Sequence, residues 1–301
     1  MPIVVGVDAG GTGTRAVAAD GDDIVGRFVG DAANVRTAGI EASAATIARA
    51  IARALAGAQA SAIYVGASGA GSGDVAEDLR GALASHFPLA RIGVCHDARI
   101  ALRAAVPAGD GMVLIAGTGS MAYAHVGERD FRSGGFGHLL GDEGSAFAIG
   151  RAALRHVLRS YDGCFLPDAF IEAIETALDA HGARSVLAQI HGSRTPVARI
   201  ASVAPRVLEL AGSGDRTAGK LVQTAALDLF ELVKSLARQS ALLDCEFSLI
   251  FAGGLLAENT MLSYLLETRI AGDLPLAHIV KNAPAPEFGA LSLAQGLLAG
   301  G

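Results

Sequence analysis

The sequence predicts an α/β protein of two lobes, each a mixed sheet flanked by helices, with a cleft between. Three observations carry this expectation. The chain has 301 residues, 51% hydrophobic and 18% charged, which exceeds one ordinary domain and suffices to bury two cores. Strand-like runs open it as hairpins and then alternate with helical periodicities, the pattern of a mixed sheet covered on both faces. The same order restarts after Pro107-Ala108-Gly109-Asp110-Gly111, so each half begins strand, Gly-Thr turn, strand.

The elements follow in order. Ile3 to Val7 reads as a strand, Arg15 to Ala19 as a second, and Asp20-Gly21 as the turn into a third at Ile24 to Val29. Ile47, Ile51 and Leu55 recur at helical spacing within 40–55. A strand at Ala62 to Gly66, a helix near Val75 to Phe87, a strand at Arg91 to Cys95 and a helix from Ala98 to Ala105 complete the first half. In the second half, Met112 to Ala116, Met121 to Val126 and Arg129 to Arg132 read as strands. Helices dominate from Ser145 to Ala241, Phe247 to Ala252 is a strand, and a helix near Phe288 to Leu298 closes the chain. The first lobe is therefore expected over 1–109, joined by the final helix in 288–301, and the second over 110–287, with a hinge near Pro107 to Gly111. Between His181 and Ala218, Gly182, Gly192, Pro196, Pro205 and Gly212 break the pattern into short pieces.

Composition narrows the function. With 24 Lys+Arg against 30 Asp+Glu, net charge −6 and no basic run, a partner that is a nucleic acid or an anionic membrane is not expected. Cys95, Cys164 and Cys245 lie far apart with no CxxC spacing, against a disulfide framework, zinc knuckle or iron–sulfur site. No basic leader or spanning apolar run is present, so a cytoplasmic protein is expected. The 39 glycines are about twice the usual share of roughly 7%, and they cluster at strand ends.

Five clusters could carry chemistry. In Asp8-Ala9-Gly10-Gly11-Thr12-Gly13-Thr14-Arg15, glycines between two strands let backbone N–H groups face an anion, and the Thr hydroxyls add donors. Asp8, at the strand end, can hold a divalent cation through water. Gly117-Thr118-Gly119-Ser120 repeats that logic in the second half. Ser133-Gly134-Gly135-Phe136-Gly137-His138-Leu139-Leu140-Gly141-Asp142-Glu143-Gly144-Ser145 carries more glycine than a helix or strand uses. Its Asp142 and Glu143 could bind sugar hydroxyls or cap the next helix, and His138 reads as a structural partner. Cys95-His96-Asp97-Ala98 marks a strand-to-helix junction, where Asp97 is equally a general base at the carboxyl end of a strand and a plain cap. Phe251-Ala252-Gly253-Gly254-Leu255 is a tight turn after a buried strand. Asn34 in the loop from Gly30, and the loop Ser68-Gly69-Ala70-Gly71, are further polar candidates.

Taken together these motifs resemble the actin-like ATPase superfamily, with lobes of ribonuclease H-like topology. Within it the chain resembles the N-acetylglucosamine kinase branch of the BadF/BadG/BcrA/BcrD ATPase family, chiefly through Gly134 to Ser145. The resemblance implies ATP and Mg²⁺ as cofactors and phosphoryl transfer to the 6-hydroxyl of N-acetylglucosamine, glucosamine or N-acetylmuramic acid. It makes Asp97 the base and Asp8 the Mg²⁺ residue through water. Gly10, Gly11, Thr12, Thr14, Gly117, Thr118 and Gly119 become phosphate contacts, and Gly253 and Gly254 adenosine contacts. Asn34, Ser120, Gly135, Phe136 and Asp142 become sugar ligands beside Asp97, with Phe136 standing where eukaryotic relatives carry Trp. A homodimer is the expected assembly. The alternative is an ATPase that activates a 2-hydroxyacyl-CoA dehydratase or benzoyl-CoA reductase, which needs a cluster-ligating cysteine pair at a dimer interface.

Overall fold

A computed structural model describes residues 2–11, 13–71, 73–107, 110–256 and 259–299. The chain divides into two compact units, Met1–Gly111 with Val280–Gly301, and Met112–Ile279.

The first unit holds a five-stranded sheet of β1 (Ile3–Ala9), β2 (Thr14–Asp20), β3 (Asp23–Gly30), β4 (Ala62–Ala67) and β5 (Arg91–His96), in the order β3-β2-β1-β4-β5. β2 runs antiparallel to β1 with Ala9 opposite Thr14, so the first Gly-rich turn joins two paired strands. β4 lies parallel to β1 with Asp8 beside Gly66, and β5 parallel to β4 with Ala67 beside His96. The carboxyl ends of three strands therefore carry Asp8, the loop after Ala67, and His96-Asp97, where open α/β sheets bind ligands. The helices are α1 (Val35–Ala38), α2 (Ile40–Leu55), α3 (Gly73–His86) and α4 (Asp97–Ala105).

The second unit repeats the order. β6 (Gly111–Ala116), β7 (Ser120–Val126), β8 (Arg129–Gly134), β9 (Phe247–Ala252) and β10 (Ala277–Val280) lie as β10-β9-β6-β7-β8. Its helices are α5 (Ala146–Tyr161), α6 (Ala169–Leu178), α7 (Ala183–His191), α8 (Pro196–Ala201), α9 (Ala204–Gly212), α10 (Arg216–Gln239) and α11 (Met261–Asp273). Met112, Leu114 and Ala116 pack with Ile149, Phe170, Ile174, Leu229, Phe230 and Val233 in one buried core.

The last helix, α12 (Pro286–Ala299), returns to the first sheet. Period-2 alternation sorts β1 by face: Val5, Val7 and Ala9 join Ile47, Ile51, Leu79 and Leu83, whereas Val4 joins Leu291 and Ala294. Gly6 shares the α12 face, and a Cβ there would lie 2.3 Å from the Leu291 nitrogen and 2.4 Å from the Glu287 carbonyl oxygen. Only glycine allows so close an approach.

Several boundaries differ from expectation. α11 and β10 were not expected; α11 is announced by a Thr260–Ser263 capping box, and β10 is a four-residue edge strand. The broken stretch after His181 folds as α7, α8, α9 and the start of α10. Part of its punctuation starts helices, Gly182 capping α7 at φ 86° and Pro196 and Pro205 sitting in first turns, where a missing N–H costs nothing, while Gly192 and Gly212 end α7 and α9. α12 begins at Pro286, two residues before the expected start. Ala108 and Gly109 of the expected hinge lie outside the described residues, and no described helix is long and apolar enough to cross a membrane.

Candidate functional site

In the first unit the Gly-rich turn is closed internally. The Gly10 N–H donates to the Gly13 carbonyl at 3.0 Å, and the Gly10 carbonyl accepts from Ala33 at 3.1 Å. The Gly11 and Gly13 N–H groups donate to no backbone acceptor among the described residues, which leaves them as anion donors. Thr14, expected to contact phosphate, is buried and its hydroxyl donates to the Asp31 carbonyl at 2.7 Å, so it fastens the loop instead. Thr12 lies outside the described residues.

Asp8 is the penultimate residue of β1, 9% exposed. Burial raises its pKa from 3.8 to about 6, with the charges of Asp97 and Glu287 adding to the rise, while the charge and hydrogen bond of Arg15 oppose it. The Arg15 guanidinium stands 3.4 Å from Asp8 Oδ2. Such a carboxylate is short of positive charge, and a divalent cation would supply it. Among the described residues no three His, Cys, Asp or Glu side chains converge. The donor set therefore fits Mg²⁺, which keeps waters and takes one or two carboxylates plus substrate phosphates, with Asp8 holding it.

Asp97 was expected as the cap of a helix starting at Ala98. The helix begins at Asp97, and His96 occupies the N-cap position. Asp97 Oδ1 accepts from the Ala98 N–H at 2.8 Å and lies 2.7 Å from His96 Nδ1. Asn34 caps α1, its Oδ1 accepting from Arg36 N at 2.9 Å and its Nδ2 donating to Ser68 Oγ at 3.2 Å. A Cβ on Gly11 would come 3.7 Å from Asn34 Nδ2, which sets this side chain beside the turn.

In the second unit, Gly117 N–H closes on the Gly119 carbonyl at 2.9 Å, the counterpart of the Gly10–Gly13 closure. The start of α5 is tied to this turn through Ala146 N to Gly117 O at 2.9 Å and Phe147 N to Thr118 O at 3.3 Å. The Thr118 and Gly119 N–H groups find no backbone acceptor among the described residues. Gly119 leaves room for Asp142, since a Cβ there would lie 2.9 Å from the carboxylate. Asp142 holds φ 61°, and its Oδ1 faces the Ser120 N–H at 3.4 Å. The cap of α5 is Ser145, not Asp142 or Glu143. Ser120, expected as a sugar ligand, is buried, and its hydroxyl donates to the Glu143 carbonyl at 2.6 Å, so it pins the segment. Gly135, at φ 71°, donates to the Ser120 carbonyl at 3.0 Å. Phe136 is 66% exposed, with the Arg132 guanidinium 5.5 Å from its ring centre, and His138 packs edge-on against Phe147. Gly253, at φ 91°, sits against the Ala116 carbonyl, where a Cβ would come within 2.3 Å. It is required by the close approach of β6, and Gly254 beside it has open space.

Sequence reading missed four charged or polar groups. Arg15 and Glu287 tune Asp8, and Glu287 Oε2 is buried with no hydrogen-bond partner among the described residues. His96 contacts Asp97. Asp228 on α10 has its pKa raised by burial and then by the charge of Glu143. Only His96 gave a signal, its adjacency to Asp97; the others depend on how distant segments meet.

The sequence model of the BadF/BadG/BcrA/BcrD ATPase family matches residues 5–294. An N-acetylmuramic acid/N-acetylglucosamine kinase of Clostridium acetobutylicum is 28% identical over 238 residues, 79% of this chain and 78% of its own. An N-acetyl-D-glucosamine kinase of Dictyostelium discoideum is 27% identical over 311 residues, 97% of each chain. The crystal structure of a Chromobacterium violaceum protein described as an N-acetylglucosamine kinase superposes with TM-score 0.77 at 25% identity, covering 98% of this chain and 99% of its own.

Proposed function

From the premise that this chain belongs to the BadF/BadG/BcrA/BcrD ATPase family, we propose that it is an ATP-dependent amino-sugar kinase acting on the 6-hydroxyl of N-acetylglucosamine or a close relative. The observation that carries the reading is Asp97, fixed at the carboxyl end of β5 with Oδ1 engaged and no hydrogen bond on Oδ2 among the described residues. Full-length similarity to kinases of N-acetylglucosamine supports the substrate class.

Phosphoryl transfer is mostly placement and charge stabilisation. Asp97 Oδ2 takes the hydroxyl proton as the sugar oxygen bonds to the γ-phosphorus and the bond to the β-phosphate bridging oxygen breaks, releasing ADP and the sugar phosphate. The N–H groups of Gly11 and Gly13 in the first unit, and those of Thr118 and Gly119 in the second, are the phosphate donors of this proposal. Asn34 in the first unit, and Gly135, Phe136 and Asp142 in the second, are its sugar ligands, and Gly254 leaves space for the adenosine. Mg²⁺, held by Asp8 through water, would supply charge neutralisation on the phosphate oxygens.

The test is coupled ADP release with glucosamine, N-acetylglucosamine, N-acetylmannosamine, N-acetylmuramic acid and glucose. An N-acetylated amino sugar should raise the rate well above ATP alone, and its 6-deoxy analogue should not. No response to any amino sugar would refute the reading.

A further inference from the structure

We infer that His96 is a positioning residue for Asp97: it holds Oδ1 by a hydrogen bond from Nδ1 and so commits Oδ2 to the substrate. The inference rests on the kinase reading above for its chemistry, though not for its geometry.

His96 Nδ1 is 2.7 Å from Asp97 Oδ1 and 3.1 Å from the Ala98 nitrogen. One ring nitrogen cannot serve both as an acceptor for Ala98 and as a neighbour of a carboxylate oxygen at that range. Two lone pairs facing each other at 2.7 Å would repel, so Nδ1 carries a proton and donates it to Oδ1. The Ala98 N–H then goes to Asp97 Oδ1, at the shorter 2.8 Å. The tautomer follows from the geometry of these three atoms.

The ring is seated from the far side as well. A Cβ on Gly71 would lie 2.9 Å from His96 Cδ2, so the Ser68–Gly71 loop closes down on the imidazole. Its carbonyl accepts from Cys95 Sγ at 3.2 Å. His96 and Asp97 side chains are 18% and 26% exposed, which leaves the pair reachable by a substrate while restricting its rotamers. With Oδ1 bound by two donors, the carboxylate cannot spin, and Oδ2 keeps its lone pairs for the hydroxyl proton. A histidine orienting another catalytic group through one ring nitrogen is ordinary enzyme chemistry; here the orientation runs from imidazole to carboxylate.

The competing account is that His96 only caps α4. Two substitutions separate the accounts, because Asn and Asp cap helices about equally well. His96→Asn places an N–H donor near the Nδ1 position, whereas His96→Asp offers only acceptors to Asp97. Positioning predicts that the Asn variant keeps kcat within about 3-fold, while the Asp and Ala variants lose roughly 10- to 100-fold, as misplacement of a catalytic group does. KM for ATP should move less than about 3-fold in all three, the loss falling on the chemical step. Gly71→Ala, which pushes the ring without touching the cap, should also lower kcat. Equal kcat in the Asn and Asp variants would overturn the inference.

A readout independent of turnover keeps the two proposals apart. In the ¹⁵N-histidine NMR spectrum of the wild-type protein, the resonance lost in His96→Asn should show a protonated Nδ1. An unprotonated Nδ1 overturns the positioning role whatever the enzyme does. A protonated Nδ1 in a protein that phosphorylates no amino sugar refutes the kinase reading alone.

Discussion

Replacing Asp8 by Asn separates what its charge costs the fold from what the charge does for a ligand. Asp8 titrates near 3.8 in the unfolded chain and near 6 in the folded one, because burial comes first and the charges of Asp97 and Glu287 follow. An acid whose folded pKa is raised keeps its full contribution below about pH 3.8 and loses it as pH rises through 6. The loss is about 1 kcal/mol at pH 4.5 and about 3 kcal/mol at pH 7.5, taking 1.36 kcal/mol per unit. Asparagine does not ionise and can still accept from Arg15, so Asp8→Asn should be about 3 kcal/mol more stable than wild type at pH 7.5 and about 1 kcal/mol at pH 4.5. Because the two units need not unfold together, the measurement is the urea dependence of hydrogen exchange in a peptide spanning β1, at both pH values. The same variant should lose most Mg²⁺-dependent turnover, a case of a functional group held at the expense of stability. A gain that is absent at pH 7.5, or of equal size at pH 4.5, would refute the electrostatic account.

Asp97→Asn keeps an oxygen for the Ala98 N–H and His96 Nδ1, so stability should shift by less than about 1 kcal/mol, while turnover falls about 10²-fold or more; near-normal turnover in a folded variant would remove Asp97 as the base. Gly119→Ala sets a methyl 2.9 Å from the Asp142 carboxylate. A side-chain tip can yield, so thermal denaturation should barely change while KM for the sugar rises about tenfold, the scale of one displaced hydrogen bond. Gly6→Ala meets backbone on α12 that cannot yield, and should destabilise the first unit by about 3 kcal/mol, the upper end for overpacking, read as a lower urea midpoint.

The sequence was most readable where residue type encodes conformation. Paired glycines between apolar runs marked both turns, and the structure places each between two strands, with its first glycine N–H closing the loop. The two-lobed α/β architecture followed from hairpins giving way to alternating elements, and the repeated sheet order agrees with it. Assigning donors was harder. Thr14 and Ser120 lie in the glycine-rich segments, yet both hydroxyls donate to carbonyls, those of Asp31 and Glu143, that linear spacing does not reveal. Asn34 and Ser68 lie 34 positions apart and meet only because β1 and β4 pair. α11 shows the opposite case: Leu262, Leu266 and Ile270 recur at helical spacing and are buried, a signal the sequence itself carries.

The packing of Gly6 against α12 also sets a timetable for synthesis. Val4, Val17 and Ala62 leave the ribosome early, but Leu291 and Ala294, which cover them, arrive last. At 5–20 residues per second, the roughly 190 residues between Gly111 and the end of α12 take roughly 10–40 s to emerge. During that interval the part of the first sheet that α12 covers stays bare, although α4 already sets Ile100 against Gly66, while Met112–Ile279, continuous in sequence, can fold to completion. The nascent chain thus matures from the middle outward, and its amino-terminal sheet is the part that a chaperone would have reason to shield.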